Sequence, residues 1–252
     1  MNKKFIGYFR LVEACEQAGC PVCTALEIDS RRALDTLLYE HVADGETRQR
    51  LRQAWGLCSW HAASLLDGNA VATGAAILFE DLLRVCHEAV ERLSDRPAPA
   101  RRWPASWIRG RVPALVAHFR ALRRCPVCET LRAAEKAYLE AVVEFADDPQ
   151  FSHAYGRSTG LCVPHIIAVV EHHDRHDGAQ VIVRATLRKW RDLRGRLERF
   201  VEKHEYRSRG PISDSDASSW RLAGEVLAGR PGVFGNQIRR HAGGPSPTTG
   251  RH

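Results

Sequence analysis

Apolar residues recur along this chain at spacings of three and four. No stretch alternates apolar and polar positions between turn signals, so the pattern predicts helices and no strands. Leu26, Ala33, Leu34, Leu37 and Leu38 mark one face of a long helix, and Leu131, Ala134, Tyr138, Leu139 and Val142 mark a second. Each runs to an acidic turn, Asp44-Gly45 or Asp147-Asp148-Pro149. There an aspartate can cap the next helix, and Pro149 suits a first helical position. Lead-in helices are predicted over Phe5–Gln17 and Val112–Arg124. Shorter ones follow over Cys58–Leu66 and Cys162–His172, ended by Gly68-Asn69 and Asp177-Gly178, and long ones over Ala70–Leu93 and Ala179–Lys203. The same order of elements therefore occurs twice. The expected fold is all-α, with two tandem pseudo-symmetric helical repeats at 1–93 and 112–204, joined by a connector at 94–111. A tail at 205–252 carries one helix, Ser215–Leu227, and its Gly/Pro/Ser/Thr-rich end is expected to be disordered after about residue 235.

Scarce residues repeat with the helices. Cys20-Pro-Val-Cys23 is followed by Gly56-Leu-Cys58-Ser-Trp-His61, and Cys125-Pro-Val-Cys128 by Gly160-Leu-Cys162-Val-Pro-His165, across gaps of 34 and 33 residues. Six of the eight cysteines and two of the twelve histidines fall in these motifs, which reads as a duplicated metal site. The chemistry favours it. Proline costs no hydrogen bond at a helix start, residues three apart share a face, and the positive helix end favours the thiolates that bind metal. Pairing each CPVC with the half-motif that follows gives Cys20, Cys23, Cys58 and His61 as one site and Cys125, Cys128, Cys162 and His165 as the other. Cys₃His is a closed ligand set for structural zinc, so two zinc ions are expected, with iron–sulfur clusters as the alternative. One geometric demand follows. A helix of about 20 residues travels about 30 Å, so either it stops short of Asp44 or the return is partly extended.

Other residues change the picture less. Cys15 and Cys86 have no cysteine at the equivalent positions, Arg120 and Trp190, and read as core or half-buried thiols. His172, His173 and His176 sit at a helix end, where imidazolium complements the dipole. Glu80, in Ala-Ala-Ile-Leu-Phe-Glu-Asp, is the candidate for a hydrogen bond behind a ligand histidine. Eight arginines against one acid between Ser94 and Arg124 account for the whole net charge of +7. In this basic connector Arg101, Arg102, Trp103, Trp107, Arg109 and Arg111 combine the groups that contact phosphate and stack on bases, so nucleic acid is a candidate partner. The start Met1–Arg10 is positive, but Arg10 and Glu13 interrupt any apolar signal region. No apolar run is long enough for a membrane span, which points to a cytoplasmic protein whose paired cysteines are ligands rather than disulfides. Nucleotide-binding glycine loops, Ser/His/Asp constellations and HExxH are absent.

The paired CPxC and GLCxxH half-motifs occur with Leu38-Tyr39-Glu40, Ala76-Ile-Leu-Phe-Glu-Asp81 and Ser219-Trp220 … Gly229-Arg-Pro-Gly-Val-Phe234. Together they resemble an uncharacterised prokaryotic family built on a domain of unknown function, over most of residues 5–235. The resemblance implies a duplicated helical fold and metal at the same eight positions, and no activity. The reading is a non-enzymatic, zinc-stabilised interaction or regulatory module with a protein partner. The alternatives are an iron–sulfur redox or sensor protein and a nucleic-acid-binding protein.

Overall fold

A computed structural model describes residues 4–67, 72–94, 124–204, 211–230 and 233. Among them are eleven helices and no strand: α1 (Ile6–Ala14), α2 (Pro21–Tyr39), α3 (Gly45–Ala54), α4 (Ser59–Asp67), α5 (Ala72–Ser94), α6 (Pro126–Glu144), α7 (Pro149–Arg157), α8 (Val163–His173), α9 (Asp177–His204), α10 (Asp214–Ala217) and α11 (Ser219–Ala228). Asp44 caps α3 by accepting from Thr47 N at 2.7 Å, and Asp148 caps α7 by accepting from Phe151 N at 3.0 Å. The outgoing helix ends at Tyr39, short of Asp44. Asp177-Gly178 does not end a helix; it begins α9. The reason is His176, whose Nδ1 accepts from Gly178 N at 3.1 Å and starts the new helix.

The chain forms two compact units, and they are not the two sequence repeats. One comprises Met1–Ser30, Leu131–Phe234 and Ile238–His252; the other comprises Arg31–Thr130 and Gly235–Gln237. Helix α2 thus gives residues 21–30 to the first unit and 31–39 to the second, while α6 gives 126–130 to the second and 131–144 to the first.

In the first unit, Tyr8 and Leu11 of α1 are buried with Leu131, Val142, Val143, Phe151, Leu161 and Ile182. The Tyr8 ring meets Phe145 edge-on at 4.8 Å, and Tyr8 Oη donates to Asp148 at 2.6 Å. Helix α11 packs on α8 and α9 and buries Ser219 and Val226, so the tail helix belongs to this core. In the second unit, Leu34, Leu37, Leu38, Leu51, Leu65 and Leu78 form the core, each such side chain contributing roughly 1.5–3 kcal/mol by burial.

Each unit also contains one close helix approach through glycine. A Cβ on Gly74 of α5 would lie 2.8 Å from the Leu38 carbonyl oxygen, and one on Gly178 of α9 would collide with the Val143 carbonyl oxygen. The pairs 38/74 and 143/178 stand at matching places in the two sequence repeats, so the duplication extends to backbone contacts.

Candidate metal centres

The eight ligand candidates gather into two clusters, but not in the groups expected from the sequence. Cys20 and Cys23 lie with Cys162 and His165; Cys125 and Cys128 lie with Cys58 and His61. The half-motifs are exchanged between repeats. From Cys23 to Tyr39, α2 advances about 24 Å, and the ten residues of α3 span only about 15 Å, so a return of Cys58 to the CPVC that precedes it would have depended on extended connecting residues. The clusters instead bring each half-motif to the other repeat's CPVC. The convergence of two helix N-termini holds for each cluster: α2 with α8, and α6 with α4. Pro21 and Pro126 start their helices, and Pro164 stands in the first turn of α8.

The Gly-Leu-Cys turn places the second half-motif. Gly160 has φ +84° and Gly56 φ +92°, a left-handed conformation that side chains resist. In the first unit this turn is held by polar groups. Leu161 N donates to Tyr155 Oη at 3.1 Å, and Trp190 Nε1 donates to the Leu161 carbonyl at 3.0 Å. Tyr155 Oη also pairs with Thr186 Oγ1 at 2.6 Å, and Gly160 N donates to Ser158 Oγ at 3.1 Å. Arg230, from the late motif, clamps the start of α2 by donating to Thr24 Oγ1, Glu27 Oε2 and the Ala18 carbonyl at 3.0–3.1 Å.

The donor atoms themselves fit one ion per cluster. His165 Nδ1 stands 3.3 Å from Cys20 Sγ, 3.5 Å from Cys23 Sγ and 3.1 Å from Cys162 Sγ, and Cys23 Sγ lies 3.7 Å from Cys162 Sγ. His61 Nδ1 stands 3.3, 3.5 and 3.4 Å from the sulfurs of Cys58, Cys125 and Cys128, and Cys58 Sγ lies 3.6 Å from Cys128 Sγ. A tetrahedral zinc with Zn–S of about 2.3 Å and Zn–N of about 2.1 Å would set S···S near 3.8 Å and S···N near 3.6 Å. These eight distances come within about half an ångström of that, and the remaining donor pairs lie within 4.8 Å.

Their electrostatics suit a cation. Burial disfavours a thiolate at Cys20, but hydrogen bonds with Cys162 and Cys23 hold its thiol well below the usual range, while the same network pushes Cys23 up. In the other cluster, bonding with Cys125 and Cys128 draws Cys58 far down and pushes Cys128 up. Burial opposes charge on both histidines, yet the cysteines raise His61 to about 9 and His165 well above its ordinary value. Such groups are those whose protons a divalent ion displaces.

Behind the ring of His165, Glu135 Oε1 lies 3.3 Å from Nε2, within ion-pair reach although off the direct hydrogen-bond line. Glu80 does not have the role expected of it. It is exposed, and the buried acid of the pair is Asp81, which accepts from Arg52 at 2.8 Å and Arg84 at 2.9 Å. Helical phase explains the exchange: residue 81 shares the inward face of α5 with Leu78, and residue 80 does not. Glu135 follows Cys128 by seven residues, two turns along α6. Its position, two turns beyond the CPVC of the repeat that also holds His165, was readable from the sequence. Cys15 is buried, and that burial pushes its thiol up to about 12; Cys86 is half-buried. His172 is exposed and His173 half-buried, and neither joins His176 in a ligand cluster among the described residues. The expected nucleic-acid contacts Arg101, Arg102, Trp103, Trp107, Arg109 and Arg111 lie outside the described residues. No helix among the described residues is long and apolar enough to cross a membrane.

Residues 3–225 match a family of unknown function, DUF6062. The chain is also similar to an uncharacterised 23.9 kDa protein in the xynA 3′ region of Caldicellulosiruptor sp. (strain Rt8B.4), with 25% identity over 224 residues, covering 87% of this chain and 99% of that protein. No solved structure matches significantly.

Proposed function

The chain belongs to DUF6062, a family of unknown function, so its role has to be argued from the two clusters, and we propose that each is a structural zinc site in a non-enzymatic interaction or regulatory module. The observation that carries this is the donor geometry: three sulfurs and one Nδ1, all within 4.8 Å of one another, in each cluster. Four protein donors around one ion leave no position for a substrate, which supports a staple over a Lewis-acid catalyst. The compactness also favours a single ion over an iron–sulfur cluster, whose ligands are spread across several irons. A shallow cavity of about 500 Å³ on α5 is lined by Ala76, Phe79, Glu80, Leu83, Arg84 and His87, none of them a ligand candidate.

The role follows from the topology. Each ion would join the CPVC of one sequence repeat to the half-motif of the other, so metal would hold the chain's crossed arrangement in place and present a fixed helical surface to a protein partner. Anaerobic purification followed by elemental analysis and native mass spectrometry tests this. Two zincs in a colourless protein are expected; a brown preparation containing iron and sulfide overturns it in favour of the redox reading. The nucleic-acid reading rests on the connector's charge. It would be favoured by DNA or RNA binding that weakens steeply with salt and is lost when Arg101, Arg102, Arg109 and Arg111 are neutralised.

A further inference from the structure

The two clusters share a ligand set and differ in what surrounds it. In the first unit all four ligands are buried, Cys162 and His165 completely. In the second unit the four ligand groups are buried too, but Cys58 as a whole residue is only half-buried. The second difference is behind the imidazole. A metal on Nδ1 leaves the proton on Nε2, and that N–H requires an acceptor to fix the ring and raise its basicity. Neither Nε2 makes a hydrogen bond, but His165 Nε2 has the Glu135 carboxylate at 3.3 Å, in ion-pair reach and placed to accept once a metal fixes the proton there. His61 is also fully buried, and no carboxylate stands at ion-pair distance from its Nε2 among the described residues. The residue standing for Glu135 in the first sequence repeat, 105 positions earlier, is Ser30, which has no carboxylate.

A third difference lies in the turn. The groups fixing Gly160-Leu161-Cys162 are Tyr155, Thr186 and Trp190. At the matching places, 104 positions earlier, stand Leu51, Leu82 and Cys86, of which neither leucine can hydrogen-bond and the thiol can do so only weakly. Around Gly56 the nearest side-chain atom to an added Cβ is accordingly Leu82 Cδ1, at 3.2 Å.

We propose that the sites are unequal by construction: Cys20/Cys23/Cys162/His165 is a permanent zinc staple with Glu135 as its positioning residue, and Cys58/His61/Cys125/Cys128 is an exchangeable zinc site. This rests on the zinc reading above. Loss of a carboxylate behind a metal-bound histidine typically lowers metal affinity 10–100-fold, which sets the expected gap. An exchangeable site in a chain held by a permanent one would let the second unit respond to zinc supply while the first stays folded.

The experiment uses the full chain purified with its metal, counted first by native mass spectrometry and then titrated with a chromophoric chelator. One zinc should leave at 10–100-fold lower chelator concentration than the other. Glu135→Gln keeps the size of the side chain and removes the charge; it should bring release of the tight zinc towards the weak one, leaving the weak one and the helical circular dichroism unchanged. Glu135→Asp should restore part of the gap. Cys58→Ser should abolish the weak zinc and keep the tight one. Two zincs leaving together, an unmoved tight zinc in Glu135→Gln, or loss of the tight zinc in Cys58→Ser would overturn the inference while leaving the zinc reading intact. A purified chain without two zincs overturns both.

Discussion

The two units solve the same problem, holding a Gly-Leu-Cys-X-X-His half-motif against a distant CPVC, with different chemistry. The first uses polar restraints: Tyr155 and Trp190 on the turn, Glu135 behind the ligand histidine, Arg230 across the start of α2. The second packs Leu82 against Gly56 and ties its buried Asp81 to the part-exposed Arg52 and Arg84, on α3 and α5. Duplicated motifs therefore fix the ligand set and the turn, while the neighbouring residues are free to diverge. Ligand identity alone would have called the sites equivalent.

The crossing of the half-motifs is the feature whose failure would cost most. Structural zinc supplies apparent binding free energy of about 10–16 kcal/mol, more than the whole stability of an ordinary domain. Double variants read the pairing directly. Cys23→Ser with Cys162→Ser removes two ligands from one cluster, so the protein should retain one zinc and a folded second unit. Cys23→Ser with Cys58→Ser damages both clusters and should leave no stoichiometric zinc and little cooperative unfolding. Zinc counting by native mass spectrometry, with thermal melts, checks this. The opposite result, one zinc in the second variant and none in the first, would restore pairing within each repeat.

A smaller effect separates the two helix approaches. Gly178→Ala must push against the Val143 carbonyl, and Gly74→Ala against the Leu38 carbonyl, where the added carbon has more room. Both substitutions gain the helix preference of alanine, up to about 1 kcal/mol, and lose more to the clash, roughly 1–3 kcal/mol. We expect Gly178→Ala to be the more destabilising in chemical denaturation. Equal or reversed losses would mean that α5 and α9 do not approach their partners as the duplicated geometry has it.

Much of this was legible in the sequence because it follows from local rules. Helical periodicity gave the all-α class, Asp44 and Asp148 were readable as caps, and the spacing of Cys20, Cys23, Cys125 and Cys128 gave half of each ligand set. What the sequence hid was which halves meet. Spacing along a chain reports proximity only if the chain returns on itself, and each half-motif here meets the CPVC of the other repeat. The error over Glu80 has another root: helical phase puts Asp81, not Glu80, on the inward face of α5, and Asp81 is taken by Arg52 and Arg84. The Asp177-Gly178 boundary was missed for a different reason: His176 caps through an imidazole nitrogen, a role that propensity assigns to Ser, Thr, Asp or Asn.

The smallest contrast concerns the two caps themselves. Asp148 accepts from Phe151 N and also from Tyr8 Oη, with Lys4 Nζ at 3.0 Å, whereas Asp44 is held by groups of its own cap, Thr47 and Glu46, with no distant side chain on it among the described residues. The Tyr8 hydroxyl, with help from Phe151 N and Lys4, holds the Asp148 carboxyl down at about 2. A carboxyl whose folded value lies below its unfolded value of about 3.9 contributes stability that is fully present above pH 4 and is lost as pH falls towards 2. Asp148→Asn should therefore cost about 1 kcal/mol at pH 7, since the side chain is partly exposed and water screens the ion pair. The difference between wild type and variant should shrink in urea denaturation repeated at pH 3.5. Asp44→Asn, with no tyrosine behind it, should cost less at pH 7. An Asp148→Asn penalty that is independent of pH would mean that the amide reproduces everything the carboxylate does, and that Tyr8 and Lys4 add nothing to this cap that its counterpart lacks.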